Sequence, residues 1–111
     1  MLAPAKSSPE EIKAALAHLP GWDVVERTLP GEDHVHIELH RVFGFSSFPD
    51  AMHFMLNASR FIQVTDHHPS WQNTYSKIEV WITTGELKHQ LSAKDLTLSH
   101  YLEGLFQHYK S

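Results

Sequence analysis

The chain contains no cysteine, which excludes disulfides, thiolate nucleophiles and cysteine-ligated metals. It has no apolar run near the ~20 residues that span a bilayer. Its first residues, Met1-Leu2-Ala3-Pro4-Ala5-Lys6, lack the apolar centre of a signal peptide. No membrane association and a cytoplasmic location are therefore expected. Repeats, low-complexity tracts and interior linkers are also missing. Positive charge is scarce: nine Lys and Arg against thirteen Asp and Glu leave a net charge of −4. That argues against nucleic-acid binding, which needs a basic surface. A length of 111 residues with 41% hydrophobic content describes one ordinary globular domain with a single core.

What is abundant is histidine, with ten residues, so net charge is expected to vary between about pH 5 and 7.5. Two of them are adjacent in Thr65-Asp66-His67-His68-Pro69-Ser70-Trp71.

Residues 1–7 read as a flexible arm and 8–111 as the domain. Ser8-Pro9-Glu10-Glu11 has the form of a capping box, followed by a short helix that Pro20-Gly21 ends. Trp22 to Leu29 reads as a strand. Val35, Ile37 and Leu39 then alternate with His34, His36, Glu38 and His40, the pattern of a strand with one covered and one open face. Histidines at i,i+2 are more often solvated or interfacial than metal-bound, and no third ligand type is evident nearby, so no metal is assigned.

Ser47 caps a second helix, in which Phe48, Met52, Met55, Ser59 and Ile62 recur at helical spacing. After Pro69, Trp71 to Tyr75 and Lys77 to Thr84 form a hairpin that places Trp81 on the open face, where an exposed aromatic points to a partner. Ser92-Ala93-Lys94-Asp95 is a second capping box, opening a helix with Leu98, Leu102 and Leu105 in one stripe. The order is αββαββα: an α+β domain with three helices on one face of a four-stranded antiparallel sheet.

Taken alone, His67 and His68 allow acid–base chemistry from a bent segment, or a capping role for one and exposure for the other. Adjacent histidines rarely chelate one ion.

A wider pattern is specific. His67-His68-Pro69-x-Trp71-x-Asn73-x-Tyr75-x-Lys77, then Ile82-Thr83-Thr84 and Leu91-Ser92-x-x-Asp95-Leu96-x-Leu98, resembles the pterin-4a-carbinolamine dehydratase family over residues 9 to 108. The resemblance implies a cofactor-free dehydration of a 4a-hydroxy-tetrahydropterin. By position His67, His68 and Asp95 match the family's catalytic residues, while Trp71 and Pro69 match its substrate pocket. It also implies a homodimer or tetramer.

Two positions depart from the family pattern. Gln63 replaces a charged residue four before the pair, and Gly85 replaces a His or Trp ten after Tyr75. His89, four residues further on, is too far along to restore the lost geometry, and a displacement of about 1 Å already costs ~100-fold in rate. The sequence is similar in this to a branch of dehydratase-like proteins associated with α-carboxysomes and Rubisco assembly. On the sequence, a non-catalytic binding or assembly factor is favoured over an active dehydratase, with Rubisco as the candidate partner and a carboxysome-associated location.

Overall fold

The computed structural model describes residues 4–109, so the first three residues of the expected arm lie outside the description. The Ser8–Glu11 capping box is formed, and α1 runs over Pro9–Leu16. Strands β1 (Asp23–Arg27) and β2 (His36–Gly44) follow, then α2 (Phe48–Thr65), β3 (Ser70–Thr74), β4 (Lys77–Ile82) and α3 (Ala93–Phe106). The sheet is antiparallel in the order β1-β2-β4-β3. This is the expected α+β architecture. Lys6 bridges Ser92, and the buried Ser7 donates its N–H to the Leu91 carbonyl at 2.8 Å. The end of the expected arm is thus tied to the residues that precede α3.

Register follows the side-chain alternation. Leu39 pairs with Ile82 and Phe43 with Ile78, so these side chains share the face beneath the helices. They pack with Leu19, Trp22, Val80, Leu98, Leu102 and Phe106 in one core. Burial of each such side chain contributes about 1.5–3 kcal/mol. Helix α2 turns Ala51, Phe54, Ala58 and Ile62 into that core. The face expected from Phe48, Met52, Met55 and Ser59 is therefore displaced: Phe48 and Ser59 are exposed. The small residues Ala51 and Ala58 let the helix backbone approach the sheet, a contact that a search for large side chains overlooks.

The second face of the sheet also differs from expectation. Val35 is exposed, whereas His36 and Glu38, assigned to the open side, are buried. Arg27 pairs with Glu38 and lies 4.3 Å over the ring of Trp81, which is half-buried. The guanidinium of this last residue of β1 therefore shields one face of Trp81.

Arg41 sits on the helix-covered face and makes a two-pronged contact with Glu103 of α3, at 3.0 and 3.2 Å. Trp22 donates its indole N–H to the same carboxylate at 2.9 Å. Burial pushes the Glu103 carboxyl up, but the bonds from Arg41 and Trp22 outweigh it and leave its pKa below the ordinary value.

Candidate functional site

The site is built where α2 ends and α3 begins. Asp66 closes α2 in the left-handed conformation, φ 52°, with its N–H on the Ile62 carbonyl. Aspartate tolerates that conformation better than most residues. The bend turns His67 inward, where it is 8% exposed, and Pro69 prevents the helix from resuming.

Opposite it, Asp95 lies in the first turn of α3 and is fully buried. One carboxylate oxygen, Oδ1, is 2.6 Å from His67 Nε2. The other, Oδ2, accepts the Thr84 hydroxyl at 2.6 Å and the Ser92 backbone N–H at 2.8 Å. Ser92 Oγ stands 2.7 Å from Thr84 Oγ1, so the serine hydroxyl can donate to the threonine, which donates to the aspartate. An ionised carboxylate only accepts, so in this pairing His67 Nε2 is the donor and Nδ1 is the ring atom left for another partner. Asp95 therefore caps its helix and orients His67 with the same carboxyl group.

His67 borders a hollow of about 250 Å³. Phe61 and Leu98 give it an apolar wall, and Thr65, Thr97 and Lys94 a polar one. Phe61 is itself held by a parallel stack on Tyr101, centroids 3.9 Å apart. Lys94 reaches Glu86 at 3.1 Å. The Glu86 backbone and the Lys94 ammonium hold that exposed carboxyl below its ordinary pKa, with a smaller pull from His67. The geometry joins an oriented imidazole, a cation and an aromatic surface.

Other expected site residues lie elsewhere. His68 points outward, its side chain 59% exposed, with Nε2 3.2 Å from the exposed Asp66. Trp71 pairs in register with Val80 and packs on the core; neither it nor the half-buried Pro69 is among the residues lining the hollow. Gln63 is on the exposed side of α2. Gly85 has no positive φ, and a Cβ there would meet only His89 Cε1, at an ordinary 3.9 Å. The backbone does not demand glycine at that position.

The family model described as pterin 4 alpha carbinolamine dehydratase matches residues 5–105. This chain belongs to that family. A relative from Novosphingobium aromaticivorans is 34% identical, covering 89% of this chain and 94% of its own. One from Burkholderia ambifaria is 30% identical over 93% and 92%. Both carry the name of the dehydratase as a provisional assignment. A crystal structure from Brucella melitensis, described as a transcriptional coactivator/pterin dehydratase, superposes with a TM-score of 0.73 at 25% identity, over 91% of this chain and 98% of that one.

Within the dehydratase fold, the hydroxyls of Thr84 and Ser92 and the ammonium of Lys94 join the site without having been singled out from sequence. Ser92 stood in the capping box, but its link to Thr84 depends on tertiary structure. Apart from this site, Glu32, His34, His36 and His89 bring four possible ligand atoms within 4.8 Å of one another.

Proposed function

We propose that this chain binds a reduced pterin at the hollow beside His67 and dehydrates a 4a-hydroxy-tetrahydropterin, with His67 as its acid–base group. The observation that carries this reading is the buried His67–Asp95 pair, oriented at the edge of a part-aromatic hollow. In the reaction Nδ1 takes a proton from the ring nitrogen beside the carbinol carbon. The C–O bond breaks, the proton is returned to the departing hydroxyl, and water leaves. One imidazole suffices for this exchange if both atoms come within hydrogen-bond reach in turn. Asp95 stabilises the imidazolium between the two transfers, and the wall of Phe61 and Leu98 suits a flat heterocycle.

A second reading has its own support: His68 faces away from the hollow and Gly85 offers no side chain. In that reading the chain is a non-catalytic binding or assembly factor, with Rubisco of an α-carboxysome as the candidate partner. Association as a homodimer or tetramer belongs to either reading, and light scattering of the purified chain measures it.

The deciding experiment is dehydration of a 4a-hydroxy-tetrahydropterin by the wild-type chain and His67→Ala. A rate above buffer that falls about 10²–10⁴-fold in the variant supports the dehydratase. A rate no higher than buffer overturns it. Co-expression with Rubisco then tests the second reading, for which unchanged yield of assembled enzyme and no co-purification are the negative outcome.

A further inference from the structure

We propose that Glu32, His34, His36 and His89 form a structural site for a divalent transition-metal ion of the zinc type. The four side chains each offer one ligand atom, all within 4.8 Å of one another. Three imidazole nitrogens and one carboxylate oxygen are a donor set that suits zinc, cobalt and nickel.

Glu32 and His34 lie on the irregular stretch that leads into β2, with a bend at His34, and His36 is the first residue of the strand. The fourth ligand comes from the far side of the sequence. Ile37 donates its N–H to the His89 carbonyl at 2.8 Å, which fixes the later loop against β2. The His36 and His89 rings are then parallel at 3.7 Å, and His34 stacks on both.

The decisive observation is an unmet demand. The His36 side chain is only 4% exposed, and its Nε2 has no hydrogen-bond partner; nor have Glu32 Oε2 and His89 Nδ1. His36 Nε2 is 2.6 Å from Glu32 Oε2, a close contact that makes no hydrogen bond. Buried polar atoms of this kind each cost about 1–3 kcal/mol. Arg27, opposite His36 in register, is committed to Glu38 and cannot satisfy them. A single cation would satisfy all three atoms at once if His36 Nε2 and Glu32 Oε2, 2.6 Å apart, open to the roughly 3.3 Å at which donors share a zinc ion and the stacked rings of His36 and His89 swing to aim at it. With four protein ligands the coordination is closed, so the ion's work is to clamp the β1–β2 loop to the loop that begins at Gly85.

The test is titration of metal-free protein with Co²⁺ alone, followed by Zn²⁺. The expected result is one equivalent of Co²⁺ with the visible bands of a four-coordinate nitrogen and oxygen site, displaced by one equivalent of Zn²⁺. His89→Gln and Glu32→Gln are each expected to weaken binding at least about tenfold. His100→Gln, at an exposed histidine on α3, is expected to leave it unchanged. Should His89→Gln or Glu32→Gln fail to fold, His34→Gln, at a side chain 43% exposed, takes its place with the same expected weakening. No four-coordinate spectrum, or a spectrum unaffected by the His89 and Glu32 variants, overturns the proposal.

Discussion

The two histidine groupings of this protein treat the same side chain in opposite ways. At His67 the imidazole has a full complement of support: a carboxylate at 2.6 Å, itself held by a hydroxyl and a backbone N–H. At His36 a ring of similar burial has neighbours but no hydrogen bond at its Nε2. A satisfied polar network fixes one geometry, whereas an unsatisfied one requires something from outside. His67 is positioned to act on a ligand that comes and goes. His36 is positioned to hold one that stays.

The sharpest way to break this comparison is in the rate. His67→Ala is expected to lower dehydration about 10²–10⁴-fold, and His68→Ala to leave it nearly unchanged, since that ring lies outside the hollow. Steady-state assay of both variants checks the claim. An equal loss from both would mean that the outward ring turns in to join the site.

Next in size is Asp95→Ala. It removes a fully buried carboxylate and leaves His67 and Thr84 without their partner, so a loss of about 3 kcal/mol in stability is expected. Urea unfolding measures it. Asp95→Ala is therefore expected to be more harmful to the fold than His67→Ala, which keeps the cap of α3.

A third expectation concerns sign. In chelator, His36→Leu is expected to raise stability by about 1 kcal/mol, because it exchanges an unsatisfied buried nitrogen for an apolar group. With Zn²⁺ in excess the same substitution is expected to lower stability relative to wild type, because it removes a ligand. Thermal unfolding in both conditions reads the crossing. The same sign in both would show that the grouping of Glu32, His34, His36 and His89 serves packing alone.

How much of this was legible in the sequence depends on where the partners come from. The caps at Ser8 and Ser92 and the alternation of β2 are local, and local chemistry can be read from spacing. The His67 and Asp95 positions came from the family resemblance, and Asp95 also from its place in a capping box. The separation of His67 from His68 could not be read, because it depends on the left-handed turn at Asp66. Nor could the approach of His89 to His36 be read, since it requires a loop from beyond β4 to fold over β2. The open face looked solvated because alternation tells which side a residue takes, not what later covers it. Trp71 was assigned to the pocket wall by the family resemblance; in the fold it pairs with Val80 and packs, partly buried, against the core.

The smallest expected effect comes from a carboxylate that is satisfied like Asp95 but remote from any reaction. Glu103 is partly buried, which raises its pKa, yet the bonds from Arg41 and Trp22 bring it below the ordinary value of 4.5. A lowered folded-state pKa means that the unfolded chain binds the proton more readily. The stability that Glu103 contributes is therefore fully present above about pH 4.5 and is lost as pH falls through the lower, folded-state value. Solvent screening limits it to about 1 kcal/mol or less. Glu103→Gln is expected to flatten the acid limb in urea unfolding as pH falls below about 4.5, while leaving dehydration at neutral pH unchanged. A rate loss in this variant would link the Arg41–Glu103 tie between sheet and α3 to the placement of Asp95, and so extend the satisfied network beyond His67.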